Sequence, residues 1–184
     1  MKQLELLKKQ NSAHGGELFT TRKARTTPRP LAVKSTMHLV LRSKKARHDW
    51  SFKNPTNETK IKQIVQKFSD RYGVKVISLA NVGNHLHFHI KLSNRYNYKP
   101  FIRAITAGIM MAVTRTSRWK KIKELSEEGF WDYRPFTRIV QSYRAFLNLR
   151  DYIYLNQLEG FGHSREFARF FIEYGKERLA FNSS

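Results

Sequence analysis

The chain has 184 residues with 35 Lys and Arg against 14 Asp and Glu, a formal net charge of +21 that should draw polyanions, nucleic acid being the commonest. The length suits one domain with extensions, and 40% apolar with 13% aromatic residues excludes a disordered polyelectrolyte. The absence of cysteine excludes disulfides, thiolate metal sites and Cys nucleophiles together, leaving imidazoles, amides and carboxylates as ligands.

Residues 1–36 read as a basic N-terminal arm. Its first ten residues interleave Leu with Lys and Glu, and no apolar run reaches 18 residues anywhere, so neither a secretory signal nor a membrane partner is expected and the cytoplasm is the expected compartment. Gly15, Gly16, Pro28 and Pro30 punctuate the arm, and from Thr20 to Thr36 it carries Arg22, Lys23, Arg25, Arg29 and Lys34 with no acid. Such a run serves equally as a solvated tail or as a track for a phosphate backbone. Met37–Arg42 alternates as a first strand, followed by a basic loop with Lys44, Lys45, Arg47 and Trp50. From Asn57 to Tyr72, Ile61, Ile64, Val65, Phe68 and Tyr72 recur at helical spacing between Pro55 and Gly73. Val74–Val82 is a β-branched strand that turns at Gly83-Asn84 into the next one.

That next strand, His85–Leu92, alternates strictly. Leu86, Phe88, Ile90 and Leu92 share one face, and His85, His87, His89 and Lys91 share the other. Imidazoles two residues apart on one strand face stand roughly 7 Å from each other, close enough for two to share an ion. A histidine-bearing polar face is often plain solvated surface, but three of the chain's 7 histidines lie on this one.

Pro100 opens a second helix in which Ile102, Ile105, Ile109 and Val113 run to about Thr116. Beyond it Arg115, Arg118, Lys120, Lys121 and Lys123 surround Trp119, a mixture of cations and an aromatic face that suits single-stranded nucleic acid as well as a helix C-terminus. Phe136–Val140 reads as a fourth strand and Tyr143–Leu158 as a third helix. The order β-α-β-β-α-β predicts an α+β, ferredoxin-like antiparallel sheet with two helices on one face, leaving the third helix to approach the histidine face. On that helix Asn148, Tyr152 and Asn156 share one stripe, beside an apolar stripe of Phe146, Leu149 and Ile153. Tyr154 lies about 200° round from Tyr152. Past Gly160, Ser164 caps a last helix whose Phe167, Phe170, Phe171 and Tyr174 are expected to pack on the domain.

Asn84-His85-Leu86-His87 after Gly83, then Phe130-Trp131 with Arg134-Pro135-Phe136, then Tyr152-Ile153 with Asn156, occur in an order that resembles the single-tyrosine HUH transposases, and among them the REP-associated tyrosine transposases. The resemblance covers about Met37 to Gly160, giving an endonuclease domain at 37–160 with its added nucleophile helix and a helical extension at 161–184. It implies a bacterial, nucleoid-associated enzyme, monomer or homodimer, that cuts and rejoins single-stranded or hairpin DNA. Tyr152 would be the nucleophile, with His85, His87 and Asn156 holding a divalent ion, Mg²⁺ or Mn²⁺. Two positions depart from the pattern: Gln157 stands where Pro usually follows the Asn, as a weaker rival ligand, and His89 is extra. Both are left beside the ligands or against a phosphate. Arg134 and Arg138 join the basic residues named above as expected DNA contacts.

The chemistry is consistent with the residues. A phenol of pKa near 10 attacks phosphorus only if it loses its proton or the target is strongly polarised, which an ion held by neutral ligands would do. Two-metal nucleases need carboxylate clusters, and no acid stands between Asp70 and Glu124. Attack by Tyr152 is implied to leave a 5′-phosphotyrosine and a free 3′-OH; no Gly-x-x-x-x-Gly-Lys loop is present and no small-molecule cofactor is expected. The alternative is a non-catalytic nucleic-acid-binding module, either a domesticated transposase or an RNA-binding ferredoxin-like protein. If the basic surface tracks phosphates, affinity for hairpin DNA should fall steeply with salt, and charge reversal at Lys120, Lys121 and Lys123 should weaken it; a filter-binding series insensitive to salt would contradict this.

Overall fold

The computed structural model describes residues 14–15, 30–117, 129–132 and 134–181. Its strands are β1 His14–Gly15, β2 Met37–Arg42, β3 Val74–Asn81, β4 His85–Leu92 and β5 Phe136–Ile139; its helices are α1 Pro55–Tyr72, α2 Tyr98–Thr114, α3 Tyr143–Gly160 and α4 Arg165–Phe181. Local chemistry sets these bounds. The Asn54 side chain accepts from the Thr56 N–H with Pro55 next to it, and Gly73 ends α1 in the left-handed region at φ 59°. Ser142 accepts from the Ala145 N–H at the start of α3, and Ser164 from the Phe167 N–H at the start of α4.

The sheet runs β1-β5-β2-β4-β3 with every pair antiparallel. From β2 to β5 the connectivity is the expected ferredoxin-like one. Two features of the arm go beyond a detached tail: β1 pairs His14 with Arg138 and Gly15 with Thr137, and the Thr36 carbonyl accepts from the Val140 N–H at 2.9 Å. A bulge between Val76 and Ser78 interrupts β3. The stretch around Phe130 and Trp131 is fastened to the end of β2 and to α2. Ser43 Oγ donates to the Phe130 carbonyl at 2.6 Å, the Asp132 N–H to the Arg42 carbonyl, and Trp131 Nε1 to the Thr106 carbonyl.

One sheet face carries the main core. Met37, Leu39, Leu41, Leu86, Phe88, Ile90 and Leu92 pack there with Ile61 and Val65 of α1 and Phe101, Ile105, Ile109 and Val113 of α2. The opposite face receives α3, whose Leu149 and Ile153, with Ala145 and Phe146 beside them, close over Ala80 and Val140. The small Ala80 stands opposite His87 in the ladder and is fully buried under this helix. At its far end α3 comes so near the sheet that a Cβ on Gly160 would stand 2.7 Å from the Asn81 carbonyl oxygen.

Packing of α4 is less complete than the sequence leads one to expect. Ala168 is buried and Phe171 meets Tyr154 at 6.5 Å between ring centroids, yet Phe167, Phe170, Phe171 and Tyr174 all remain exposed. Among the described residues no helix is long and apolar enough to cross a membrane.

Because β3 offers backbone and not a flexible side chain at the Gly160 contact, Gly160→Val should push the end of α3 outward. A loss of about 1–3 kcal/mol is expected from denaturant midpoints. An unchanged midpoint would mean that α3 does not depend on this approach.

Candidate active site

Cross-strand register assembles the site. In β2 and β4, Arg42 stands opposite His85, Val40 opposite His87 and His38 opposite His89, so all six side chains lie on the α3 face. His38 leans diagonally: its Nε2 shares a 3.1 Å hydrogen bond with His87 Nδ1, and the two rings stack at 5.4 Å. The His85 ring meets that of His87 edge-on at 4.8 Å, and His85 Nδ1 is 2.6 Å from Asn84 Oδ1. With an oxygen for a partner, Nδ1 of His85 is the donor, which leaves Nε2 as the lone-pair nitrogen.

Onto this cluster α3 lowers Tyr152. Its ring lies 5.4 Å from His87 and 5.9 Å from His38, both nearly perpendicular, while the residue keeps 41% of its surface exposed. One turn on, Asn156 is buried, and its amide nitrogen donates to the Tyr152 carbonyl at 2.7 Å. That bond assigns the amide group: the nitrogen is the end turned back to the helix, and Oδ1 is the other. Tyr154 points instead to Phe171 of α4.

The residues fit a divalent ion. His87 Nε2 is buried without a hydrogen-bond partner, an arrangement that costs roughly 1–3 kcal/mol unless something accepts its lone pair. Among the described residues no group of three His, Asp or Glu is placed to hold an ion; Asn156, whose amide nitrogen turns back to the Tyr152 carbonyl, is an amide on the same helix stripe as Tyr152. The imidazoles are uncharged. Burial, with His38 and His85 adding to it, pushes His87 down to about 3; burial, with His89 and Arg138, pushes His38 down to about 4; burial and Arg42 lower His85. The imidazoles therefore present lone pairs and no charge of their own to a cation, with the Arg42 guanidinium opposite His85 as the like charge nearby.

His89 and Gln157 are turned elsewhere. His89 Nε2 is 2.7 Å from the Thr36 hydroxyl, and its ring packs on Phe146 at 4.8 Å; burial lowers its pKa and its Nδ1 is buried without a partner. Gln157 lines a separate cavity near Lys53, Asn81 and Phe161. Of the expected DNA contacts, Arg115, Arg134 and Arg138 are exposed, while Arg22, Lys23, Arg25, Arg118, Trp119, Lys120, Lys121 and Lys123 lie outside the described residues. His38 was not singled out by the sequence, although the alternation of Met37–Arg42 already placed it on the polar face of its strand.

The chain matches a family model described as "Transposase IS200 like" over residues 32–156. Among solved structures it is similar to a REP-associated tyrosine transposase bound to a REP hairpin, at 14% identity over 74% of each chain with a TM-score of 0.57. A candidate transposase from Deinococcus radiodurans R1 is more remote, at 15% identity over 74% of this chain and 98% of that one with a TM-score of 0.43. No curated protein matches.

A pH dependence follows from the neutral imidazoles. The unfolded chain titrates His near 6.5, whereas folded His38 and His87 wait until about 4 and about 3, so the unfolded state binds more protons in between. Stability should fall as pH drops from about 6.5 towards 4. The fall should be shallower in His38→Gln, which removes one such group; equal slopes in urea midpoints taken from pH 7.5 to 4 would contradict the burial of His38.

Proposed function

The chain belongs to the IS200-like transposase family, and from that premise we propose that it is a metal-dependent single-stranded or hairpin DNA endonuclease and strand transferase working through a 5′-phosphotyrosine on Tyr152. The observation that carries this reading is the placement of the Tyr152 ring 5.4 Å from a buried imidazole whose Nε2 has no partner. The likeness to a transposase bound to a REP hairpin supports a DNA hairpin as partner.

His85 and His87 through Nε2, and Asn156 through Oδ1, are the residues that would hold Mg²⁺ or Mn²⁺; when bound, the ion supplies Lewis-acid polarisation of the scissile phosphate. For His87 to present a lone pair at Nε2, its proton must sit on Nδ1 and be donated to His38 Nε2. His38 thus selects the tautomer of His87 and fixes its ring. Tyr152 attacks phosphorus: the bond from its phenolic oxygen forms, the bond to the 3′ oxygen breaks, and the phenol gives up one proton while the departing 3′-OH gains one. Because the phosphodiester is conserved as a phosphotyrosine, the same exchange run in reverse joins the held 5′ end to another 3′-OH without a nucleotide cofactor. The open-sheet RNA-binding alternative gains less support, since α3 lies over part of the face such modules use for stacking.

With Mn²⁺ and a stem-loop oligonucleotide labelled 3′ of the cut, wild type and Tyr154→Phe should acquire a label that survives denaturation, and Tyr152→Phe should not. Labelled Tyr152→Phe would overturn the nucleophile assignment. His87→Ala should abolish labelling, whereas His89→Ala should retain it.

His38→Leu should weaken Mn²⁺ binding about 10–100-fold in calorimetric titration. His38→Gln, whose amide reaches the position of the imidazole Nε2, should restore much of it. Equal affinity in wild type and His38→Leu would remove His38 from any positioning role.

A further inference from the structure

Helix α3 covers only part of its sheet face, and a cavity of about 330 Å³ remains between it and β5. His38, Phe136 and Arg138 line it from the sheet; Ala145, Asn148 and Tyr152 line it from the helix at the spacing of a single stripe. The cavity is therefore continuous with the nucleophile. Its volume lies at the lower end of small-molecule sites, about 300–1,000 Å³, which suits one nucleotide.

We propose that this cavity seats the base of the nucleotide flanking the scissile phosphate and that Asn148 reads its edge, an inference that rests on the DNA-cleaving role of Tyr152. The base plane, the base edge and the phosphate each have a counterpart here. Phe136, meeting His38 edge-to-face at 6.0 Å, and the apolar wall offer surface for the base plane. Asn148, exposed at the rim, carries an amide donor and acceptor side by side, the pattern that pairs with the edge of a base. Arg138 supplies a cation for a phosphate, and among the described residues no acidic one lines the cavity to repel it. Asn148 shares a stripe with Tyr152 and Asn156, and the chemistry at Tyr152 leaves it without another task.

The test uses the full-length protein and a stem-loop oligonucleotide with single-stranded flanks. Each of the two nucleotides flanking the cut is replaced in turn by the four bases and by an abasic residue. Removal of the base at one position should slow covalent-adduct formation by wild type about tenfold or more. Asn148→Ala should lose the discrimination among the four bases there while still responding to the abasic residue. Ala145→Phe, which fills the cavity, should treat base and abasic residue alike. A binding arm without divalent ion places 2-aminopurine at that position: its fluorescence should be quenched by wild type and not by Ala145→Phe. Should that variant not fold, Asn148→Ala at its exposed position carries the test. Indifference of wild type to base removal at both positions, or an unaltered base preference in Asn148→Ala, would overturn the proposal. Absence of adduct on every oligonucleotide would instead remove the role of Tyr152, and the 2-aminopurine signal would still decide whether the cavity takes a base.

Discussion

Imidazoles trapped between a sheet and a helix set the terms for everything around them. His87 and His89 on β4 keep 5% and 0% of their surface, in surroundings where each unmatched ring nitrogen is costly. The fold answers the row one residue at a time: Asn84 takes His85, Thr36 takes His89, and His38 takes one side of His87. Two ring nitrogens are left over, Nδ1 of His89 and, beside Tyr152, Nε2 of His87. Burial that disfavours protonation also keeps the ring nitrogens' lone pairs available, so both follow from placing these polar groups inside the protein.

The same helix serves structure and chemistry because its residues are sorted by angle. Leu149 and Ile153 anchor α3 on Ala80 and Val140, which turns Tyr152 towards His38 and His87 and Tyr154 towards Phe171. The anchoring cluster is separate from the core between the sheet and the first two helices, so the stripe that carries Tyr152 hangs on a small second cluster and on the close approach at Gly160. A modest displacement of α3 would leave the main core intact and still separate the phenol from the imidazoles.

Most of the architecture was legible because it is written in short-range periods. Strict alternation in His85–Leu92 fixed which residues face which way, and the stripe of Asn148, Tyr152 and Asn156 needed only the helical repeat. His38 escaped notice because its importance arises between strands: only the pairing of His38 with His89 and the diagonal lean to His87 give it a role, and register is not encoded in one strand's periodicity. The His14–Gly15 strand was hidden for a related reason, being two residues long and defined by its partner. The aromatic spacing of α4 was read correctly as a helix but not as a surface, since periodicity identifies an apolar face without saying whether anything covers it.

The bulge at Val76 and Ser78 bears on how copies of this protein can meet. β3 forms one margin of the sheet, and the irregularity divides it so that its longer straight piece, Ser78–Asn81, is only four residues. Lys75 lies in the other piece, and the opposite margin ends in the two-residue β1. Among the described residues neither margin offers the long flat row of backbone donors and acceptors that templates intermolecular strand addition, which discourages growth there into a continuous cross-β ribbon while the fold is intact.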